Sequence, residues 1–503
     1  MSCEGGVSRK PNPSNLYKYD HTINYCSMIS VQKAMGKAVE LIKRHDYARI
    51  VSHYDADGIT SAGIICNALL RRGVQFHATI VSKLEDSFIQ GLKDSLIIIC
   101  DMGTAQLDLI SAHLNEKDVI IIDHHTPPLT SPTPINELVS SLPASFALIN
   151  PYLPEGEHTG EGGKEIEGDI CAAGLSYLVA RRLSSDGRGN IDLAGLAVAG
   201  TLGDKLRMDT GTNKTILDEA IKEGVISVEK GLKLGDGKIR DLILFSTDPY
   251  IPLAGKVEWV DAFLKRLDIE GDKNIRDLDE EEERRLTAAL LSLSGESNAG
   301  AGINRDALVG NTYILNAEVV RRGIDLMRMV DACGRFGKAG VGIGLCLRDG
   351  EMIEAAVSLY MQFQSKLVSE LNRIESGEGI IKELPGIFYF YVQERGVTGI
   401  LDGIVAEYLY PAKPVIALNM KTRNEKGARA ETKISARCSK KLIAEGKEDG
   451  IDLAKAMEKA SKEVGGFGGG HPVAAGASIP NGSEDKFITT LDRIIGEQRK
   501  KIL

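Results

Sequence analysis

Four places in the sequence gather side chains able to hold hard cations. The stretch "SHYDADG" carries His53, Asp55 and Asp57, "LIIICDMGT" carries Asp101, "VIIIDHH" carries Asp123, His124 and His125, and "GTLGD" carries Asp204. Two residues apart, Asp55 and Asp57 share a face if the chain is extended there, and Gly58 lets the backbone turn sharply into a helix. Carboxylates and imidazoles without a thiolate form the ligand set of Mn²⁺ or Mg²⁺ rather than of structural zinc. So many acids in one pocket repel unless cations lie between them. Two ions would relieve that repulsion and activate a water against a phosphate ester. A single aspartate at a strand end is more often a helix cap than a ligand. Four such places, one of them Asp-His-His, argue for a shared two-metal phosphoesterase site.

The elements that would position these residues follow from hydrophobic patterning. Short apolar runs at 47–53, 74–82, 95–101 and 118–125 are separated by helix-like stretches at 59–72 and 104–114. Buried strands alternating with helices predict βαβ units and a parallel sheet. Ligands of open α/β sheets bind outside the carboxyl ends of the strands, where three of the four runs end in acid or histidine. Residues 126–168, with "TPPLTSPTP" and "PEGEHTGEGGKEIEG", read as loop. Helices at 170–184 and 191–202 close the first domain near 210.

From 211 to 340 the patterns are helical, with a charged run "RDLDEEEERRL" (276–286) read as a solvated helix face and a Gly/Asn/Ser linker at 294–306. A last α/β unit starts near 380, with strands at 386–393, 414–420 and 429–438 and helices at 398–410 and 451–464.

The chain has 503 residues, too many for one compact core. With 43% hydrophobic and 26% charged residues it has the make-up of a soluble protein, and 5% aromatics give no sign of a stacking-rich surface. The net charge of -9 argues against a chain uniformly coated for nucleic acid or anionic membrane, although local patches escape that average. Eight cysteines, Cys3, Cys26, Cys66, Cys100, Cys171, Cys333, Cys346 and Cys438, include no C-x-x-C pair and several lie in apolar runs, so reduced core thiols and a cytoplasmic location are expected. No signal-peptide core and no membrane-spanning run is present.

In this order the four motifs resemble the DHH phosphoesterase superfamily, whose D-x-D-G, lone Asp, D-H-H and further Asp stand here as "DADG", "CDMGT", "DHH" and "GTLGD". The segment "GGFGGGHPVAAG" (465–476), preceded by "KISARC" (433–438), resembles the DHH-associated domain of RecJ-like nucleases. The archaeal RecJ-like single-strand exonucleases are the nearest branch, helped by "DACGRFGKAGVGIGLCL" (331–347). The first part of that stretch, "DACGRFGKAG" (331–340), lacks the G-K-[ST] ending and the preceding strand of a nucleotide loop and is read as inter-domain packing, with the role of Arg335 open.

By this resemblance Asp55, Asp57, Asp101, His124 and Asp204 hold two Mn²⁺ or Mg²⁺ ions, with Asp101 as the bridge. His125 contacts the scissile phosphate, and Asp123 orients a neighbouring ligand. Several family members carry a ligand histidine four residues before the first Asp, where this chain has Val51. His53, two before it, is therefore carried as either a ligand or a pocket-lining catalytic residue. Gly468, Gly469 and Gly470 would offer backbone N–H groups to a substrate phosphate beside His471 and Arg437. From 421 to 441 eight Lys/Arg stand against Glu425 and Glu431, a bias suited to tracking a nucleic acid backbone where it is not simply a solvated face.

The implied fold is α/β. A parallel-sheet DHH phosphoesterase domain (45–210) follows an N-terminal extension (1–44). A mainly helical linker or insertion region (211–379) leads to a smaller C-terminal α/β DHH-associated domain (380–503) across a cleft. The implied activity is metal-dependent exonucleolytic degradation of single-stranded DNA or RNA to mononucleotides. The alternatives are an oligoribonuclease or cyclic-dinucleotide phosphodiesterase and a noncatalytic replication-fork scaffold. Association with the GINS replication complex is carried as a partner expectation, with no membrane partner.

Overall fold

The computed structural model describes residues 21–127, 135–153, 169–184, 189–293, 305–377, 379–422, 431–439, 442 and 451–500. Of residues 21–30, 136, 421, 422 and 500 it describes the backbone alone. The chain forms two compact units. The first comprises residues 1–226 with two returning segments, 315–319 and 342–349.

The first unit runs α1 (His21–Ile42), β1 (Tyr47–His53), α2 (Ala56–Arg71), β2 (Gln75–Val81), α3 (Asp86–Gly91), β3 (Leu96–Cys100), α4 (Leu107–Leu114), β4 (Asp118–Ile122), α5 (Ile135–Ser141), β5 (Phe146–Ile149), α6 (Ala172–Leu183), α7 (Ala194–Gly203) and α8 (Gly211–Lys222). All five strands pair in parallel, in the order β2-β1-β3-β4-β5. The crossover from β1 goes one way to β2 and the sheet then grows the other way from β3. This puts a topological switch point between β1 and β3, where a crevice opens at the strands' carboxyl ends.

The central strands are apolar end to end because both sheet faces are covered; every residue of β3 is buried. Ile97, Ile99, Val119 and Ile121 pack with Ile89, Leu107, Ile110 and Leu114 of α3 and α4. The alternate residues, including Ile98 and Ile120, point to the opposite face, also fully buried.

The segment 126–168 departs from the expected loop, since α5 and β5 lie within it. The run "FALI" is four residues between turn formers, too short to show a period. Residues 128–134 and 154–168 of that segment lie outside the described residues, as do residues 1–20 of the N-terminal extension and most of the 294–306 linker.

The returning segments are fastened by charge and by close packing. Arg348 Nη1 lies 2.6 Å from Asp192 Oδ2 and its Nη2 3.2 Å from the buried Glu318, while Arg71 grips Asp192 with bonds of 2.8 and 2.7 Å. Asn67 Nδ2 donates to Cys346 O at 2.8 Å, satisfying a carbonyl at the end of the helix Ala339–Cys346. The part of the motif "DACGRFGKAGVGIGLCL" from 342 onward packs within the first unit. Arg335, left open, pairs with Asp331 at 2.5 Å and lies over the Phe363 ring.

The second unit comprises residues 227–314, 320–341 and 350–503. Its first part is mainly helical, with the helices Ile239–Leu244, Val257–Arg266 and Glu280–Ser292 packed around Ile243, Val260, Phe263, Leu264, Leu286 and Leu290. A two-stranded sheet of β6 (Ile226–Leu232) and β7 (Val309–Leu315) joins them, which the helical patterning did not show. The acidic run begins a solvated helix closed by a capping box between Asp279 and Glu282, with Glu281 and Glu282 paired to Arg284 and Lys273.

The last part is a six-stranded sheet of β8 (Lys382–Glu383), β9 (Phe388–Tyr391), β10 (Val415–Thr422), β11 (Glu431–Arg437), β12 (Phe467–His471) and β13 (Ala474–Pro480) in the order β12-β13-β11-β10-β9-β8. Only β9 and β10 run parallel. The helices Leu453–Lys462 and Glu484–Lys500 cover one face through Ile416, Leu418, Ile434, Met457, Phe487 and Leu491. The glycine run expected to offer its N–H groups to a phosphate forms the edge strand β12. Among the described residues no helix is long and apolar enough to cross a membrane.

A Cβ added to Gly63 of α2 would stand 2.3 Å from Cys346 Cβ. Gly63→Ala therefore overpacks this crossing and is expected to lower stability to urea by about 1–3 kcal/mol, with Cys346→Gly recovering part of the loss. Unchanged unfolding in Gly63→Ala would show that the returning segment does not pack on α2.

Candidate metal centre

The site is built where the sheet order reverses. β1 ends at His53 and α2 starts at Ala56, so Asp55 and Asp57 do not share the face of a strand as the D-x-D spacing suggested. Asp55 is the N-cap of α2, its Oδ1 accepting from Gly58 N at 3.0 Å. Asp57 lies in the first turn and is buried. Its two oxygens accept from the first N–H groups of α6, Oδ2 from Ala172 and Oδ1 from Ala173, both at 2.8 Å. A helix N-terminus thus orients this carboxylate. The crossing is tight: a Cβ on Gly200 of α7 would stand 2.5 Å from Ala173 Cβ and 2.8 Å from Asp57 Oδ1.

Asp101 follows β3 in the left-handed region, φ 58°, and its N–H donates to Ile122 O at 2.8 Å. That backbone turns a buried carboxylate across the strand ends so that its oxygens face opposite ways. Oδ2 lies 3.4 Å from His53 Nδ1, and Oδ1 lies 3.4 Å from His124 Nε2. His53 Nδ1 also lies 2.9 Å from Asp55 Oδ2. His124 Nε2 lies 3.1 Å from Asp204 Oδ2 and 3.7 Å from Asp57 Oδ2. Asp204 itself is the C-cap of α7.

Two groups result, His53, Asp55 and Asp101 on one side and Asp57, His124 and Asp204 on the other, each with its donor atoms within 4.8 Å of one another. A third grouping joins Asp101, His124 and His125 within the same limit.

Three atoms in these groups, His53 Nδ1, Asp101 Oδ1 and Asp204 Oδ2, are buried with no well-aligned hydrogen bond, their near neighbours being the other acids and imidazoles of the cluster. Buried polar atoms are rarely left so, and all three face the space between the acids. The set of oxygen and imidazole donors around that space fits two hard divalent ions.

Asp123 is occupied differently. Its Oδ2 accepts from Thr104 N at 2.8 Å, while Oδ1 accepts from His124 N at 2.8 Å and His125 N at 3.1 Å and pairs with His125 Nδ1 at 2.8 Å. It braces the turn after β4 and holds the half-exposed His125 ring by Nδ1, leaving Nε2 as that ring's other donor position. Asn150 extends the brace, donating to Thr104 Oγ1 and to His125 O, both at 2.9 Å. Sequence reading missed Asn150, although it ends a short apolar run by the same logic that found Asp101. Val51, at the family's usual histidine position, is fully buried in the sheet's apolar cluster, and the His53 ring reaches the acids in its place.

The ionisation of the cluster reflects its crowding. Burial, then repulsion from Asp101, pushes Asp57 up to about 7. Burial, then Asp57, pushes Asp204 up to about 7. Burial and Asp55 raise Asp101. For the imidazoles burial works downward but is outweighed: contacts with Asp101 and Asp55 carry His53 to about 11, and Asp101, Asp57 and Asp204 carry His124 to about 10. Burial likewise opposes the fall of Asp55 below the usual carboxylate range, and His53 outweighs it. Burial is also overcome at Asp123, which His125 and Thr104 hold down at about 2.

The five remaining candidates lie in the second unit. His471 and Arg437 occupy one row of the sheet, both paired with Ala474 of the strand between them. Gly469 faces the same side, with nothing within 4 Å of where its Cβ would be. Gly468 does not join them, because its Cβ would point at Met457 O, 2.9 Å away on the helix-covered face. Gly470, at φ 140°, is set by the turn, its Cβ position 2.7 Å from Ala474 O. A further acid, the fully buried Asp402, is raised well above its usual range by burial, against the pull of Arg437 and Ser435. Of the basic run, only Lys433 and Arg437 have described side chains.

Comparison with known proteins places these features. The DHH family, N-terminal domain, matches residues 48–201, and the DHHA1 domain matches residues 385–497. An uncharacterized protein, MJ0831, of Methanocaldococcus jannaschii is 32% identical over 471 residues, covering 92% of this chain and 96% of that one. The single-stranded-DNA-specific exonuclease RecJ of Bacillus subtilis is 23% identical over 343 residues, covering 63% of this chain and 40% of that one. The protein is a RecJ-like member of the DHH phosphoesterase superfamily. Among solved structures, this DHH protein has the fold of Thermus thermophilus RecJ in complex with Mn²⁺, at 16% identity and a TM-score of 0.55 over 93% of this chain and 55% of that one. It also has that of CDC45 from Entamoeba histolytica, at 12% identity and a TM-score of 0.59 over 93% and 99%.

The titrations carry a pH dependence of definite sign. Asp57 and Asp204, raised to about 7, hold more protons folded than unfolded, so the metal-free protein loses stability from about pH 4 to 7. His53 and His124, also raised, contribute stability that is lost only as pH climbs toward 10 and 11. Ions that displace these protons reverse both losses. The rise in melting temperature on adding Mn²⁺ is therefore expected to grow from pH 5 to 8. A rise that shrinks with pH would contradict the cluster's assignment.

Proposed function

We propose that the protein is a metal-dependent phosphodiesterase that degrades single-stranded DNA or RNA from one end to mononucleotides. The observation that carries this reading is Asp101, one buried carboxylate whose two oxygens face two separate acid and imidazole groups. Under it, His53, Asp55 and Asp101 would hold one ion, and Asp57, His124 and Asp204 the other, with Asp101 shared. When bound, a pair of Mn²⁺ or Mg²⁺ ions supplies Lewis acidity to a water nucleophile and to the phosphate it attacks.

The remaining work belongs to the chain's own side chains. Asp123 fixes the ring of His125 through Nδ1, so Nε2 presents a proton to a phosphate oxygen, favoured because the Asp123 bond raises His125. The α6 N-terminus keeps Asp57 aimed. Arg437, His471 and the backbone at Gly469 would hold a substrate phosphate. No side chain is placed as a nucleophile, so no covalent intermediate is expected.

The CDC45-like fold favours a second reading, a noncatalytic scaffold at the replication fork. The assembled acid and imidazole cluster supports catalysis instead. Association with the GINS replication complex fits either reading and is tested by co-purification. An oligoribonuclease or cyclic-dinucleotide phosphodiesterase would use the same centre on smaller substrates.

End-labelled DNA and RNA strands of graded length, with Mn²⁺ or Mg²⁺, separate these. Stepwise release of mononucleotides from long strands is expected. Asp101→Asn is expected to abolish it, and Asp123→Asn to slow it by about 10–100-fold. Cleavage confined to a few nucleotides would favour the smaller substrates, and activity surviving in Asp101→Asn would refute the two-ion reading.

A further inference from the structure

We propose that Phe467 is a base-stacking platform for the single strand, set on the open face of the C-terminal sheet one subsite away from the phosphate position at Arg437 and His471. This rests on the nucleic-acid reading above and assigns it a subsite that neither the glycine motif nor the metal centre provides.

The sheet registers define the face. Phe467 pairs with Ser478, which pairs with Lys433; Gly469 pairs with Gly476, which pairs with Ser435; His471 pairs with Ala474, which pairs with Arg437. Side chains alternate along a strand, so these nine residues share one side. Their neighbours Ile434, Ala436, Ala475 and Ile479 point the other way, into the core beneath the two C-terminal helices. Over β12 and β13 this side is open and three rows deep, with His471 at one end and Phe467 at the other. On β11 the helix Thr398–Ile404 covers the buried Ser435 and flanks Arg437, a Cβ on Gly399 standing 3.8 Å from Ser435 Oγ and 3.7 Å from Arg437 Nη2, while Lys433 stays exposed.

The middle row is kept low. A Cβ on Gly469 would meet nothing within 4 Å, and one on Gly476 would meet only Ile434 O at 3.4 Å, an ordinary contact. Neither glycine is needed to relieve crowding on this face. Their effect is a trough two strands wide, over β12 and β13, bounded on the β11 side by Ser435 and the helix above it, along which a backbone can lie.

A single exposed apolar residue is ordinary on a protein surface. Phe467 is set apart by its company. The residue is 63% exposed, at the start of an edge strand, on the face that carries two cations and an imidazole. Glu431, on the same face, accepts from Ser478 Oγ at 2.6 Å. Phe467 and His471 are four residues apart on β12, roughly 13 Å. A phosphate at one end and a base at the other then belong to neighbouring nucleotides of an extended strand rather than to one. Aromatic faces take any base, so the subsite adds affinity without sequence preference.

The test is binding of the full chain to a labelled single strand in EDTA, where metal-dependent cleavage is stopped, using strands with 2-aminopurine at successive positions from each end. Phe467→Ala is expected to weaken binding by about five- to a hundred-fold and to remove the quenching of 2-aminopurine at one position only. Phe467→Trp should keep both, with melting curves of all variants confirming the fold. If Phe467→Ala binds and quenches like the native protein while Arg437→Ala weakens binding, the strand lies elsewhere and the platform is overturned. Absence of strand binding by the native protein overturns it as well. Strand binding that depends on Phe467 without any cleavage in Mn²⁺ would instead overturn the nuclease reading and leave the platform standing.

Discussion

The structure is organised around the repulsion of carboxylates crowded at the carboxyl edge of one sheet. Asp55 and Asp57 at the start of α2, Asp101 after β3 and Asp204 at the end of α7 come from three separate elements and meet where the strand order reverses. Each is held by backbone: Asp55 by the first turn of α2, Asp57 by the first N–H groups of α6, Asp101 by a left-handed turn, Asp204 by the end of α7. Left to themselves, burial and mutual repulsion drive Asp57, Asp101 and Asp204 toward the protonated form. A fold that spends helix N-termini and a strained backbone on keeping acids together is arranged for positive charge between them.

The rest of the first unit serves that constraint. Apolar strands covered on both faces fix the positions of the strand ends, and glycines at 63 and 200 let helices approach closely enough to pin them. Asp123 illustrates the division of labour. With both oxygens committed to the turn after β4, it controls where His124 and His125 point rather than facing the acids itself.

Much of this was legible in the sequence because it depends on local chemistry. Four apolar runs, three of them ending in acid or histidine, marked the strands, their carboxyl ends and the residues that meet there. What sequence could not give were features set by tertiary contact. The D-x-D spacing suggested a shared strand face, whereas Gly58 starts the helix early enough to make Asp55 a cap and Asp57 a first-turn residue. Strand β5 was too short to show a period. The glycine run read as a set of N–H donors for a phosphate, yet pairing with β13 makes it an edge strand, and register alone shows that Gly469 and Phe467 look outward while Gly468 looks inward. A 5% aromatic content suggested no stacking surface, but one well-placed ring suffices for a single subsite.

The central claim is that two ions share Asp101. Crystals soaked in Mn²⁺ and measured near the manganese absorption edge test it directly. The account predicts two anomalous peaks about 3.5 to 4 Å apart, one beside His53 and Asp55 and the other beside Asp57, His124 and Asp204. A single peak, or peaks away from Asp101, would contradict it.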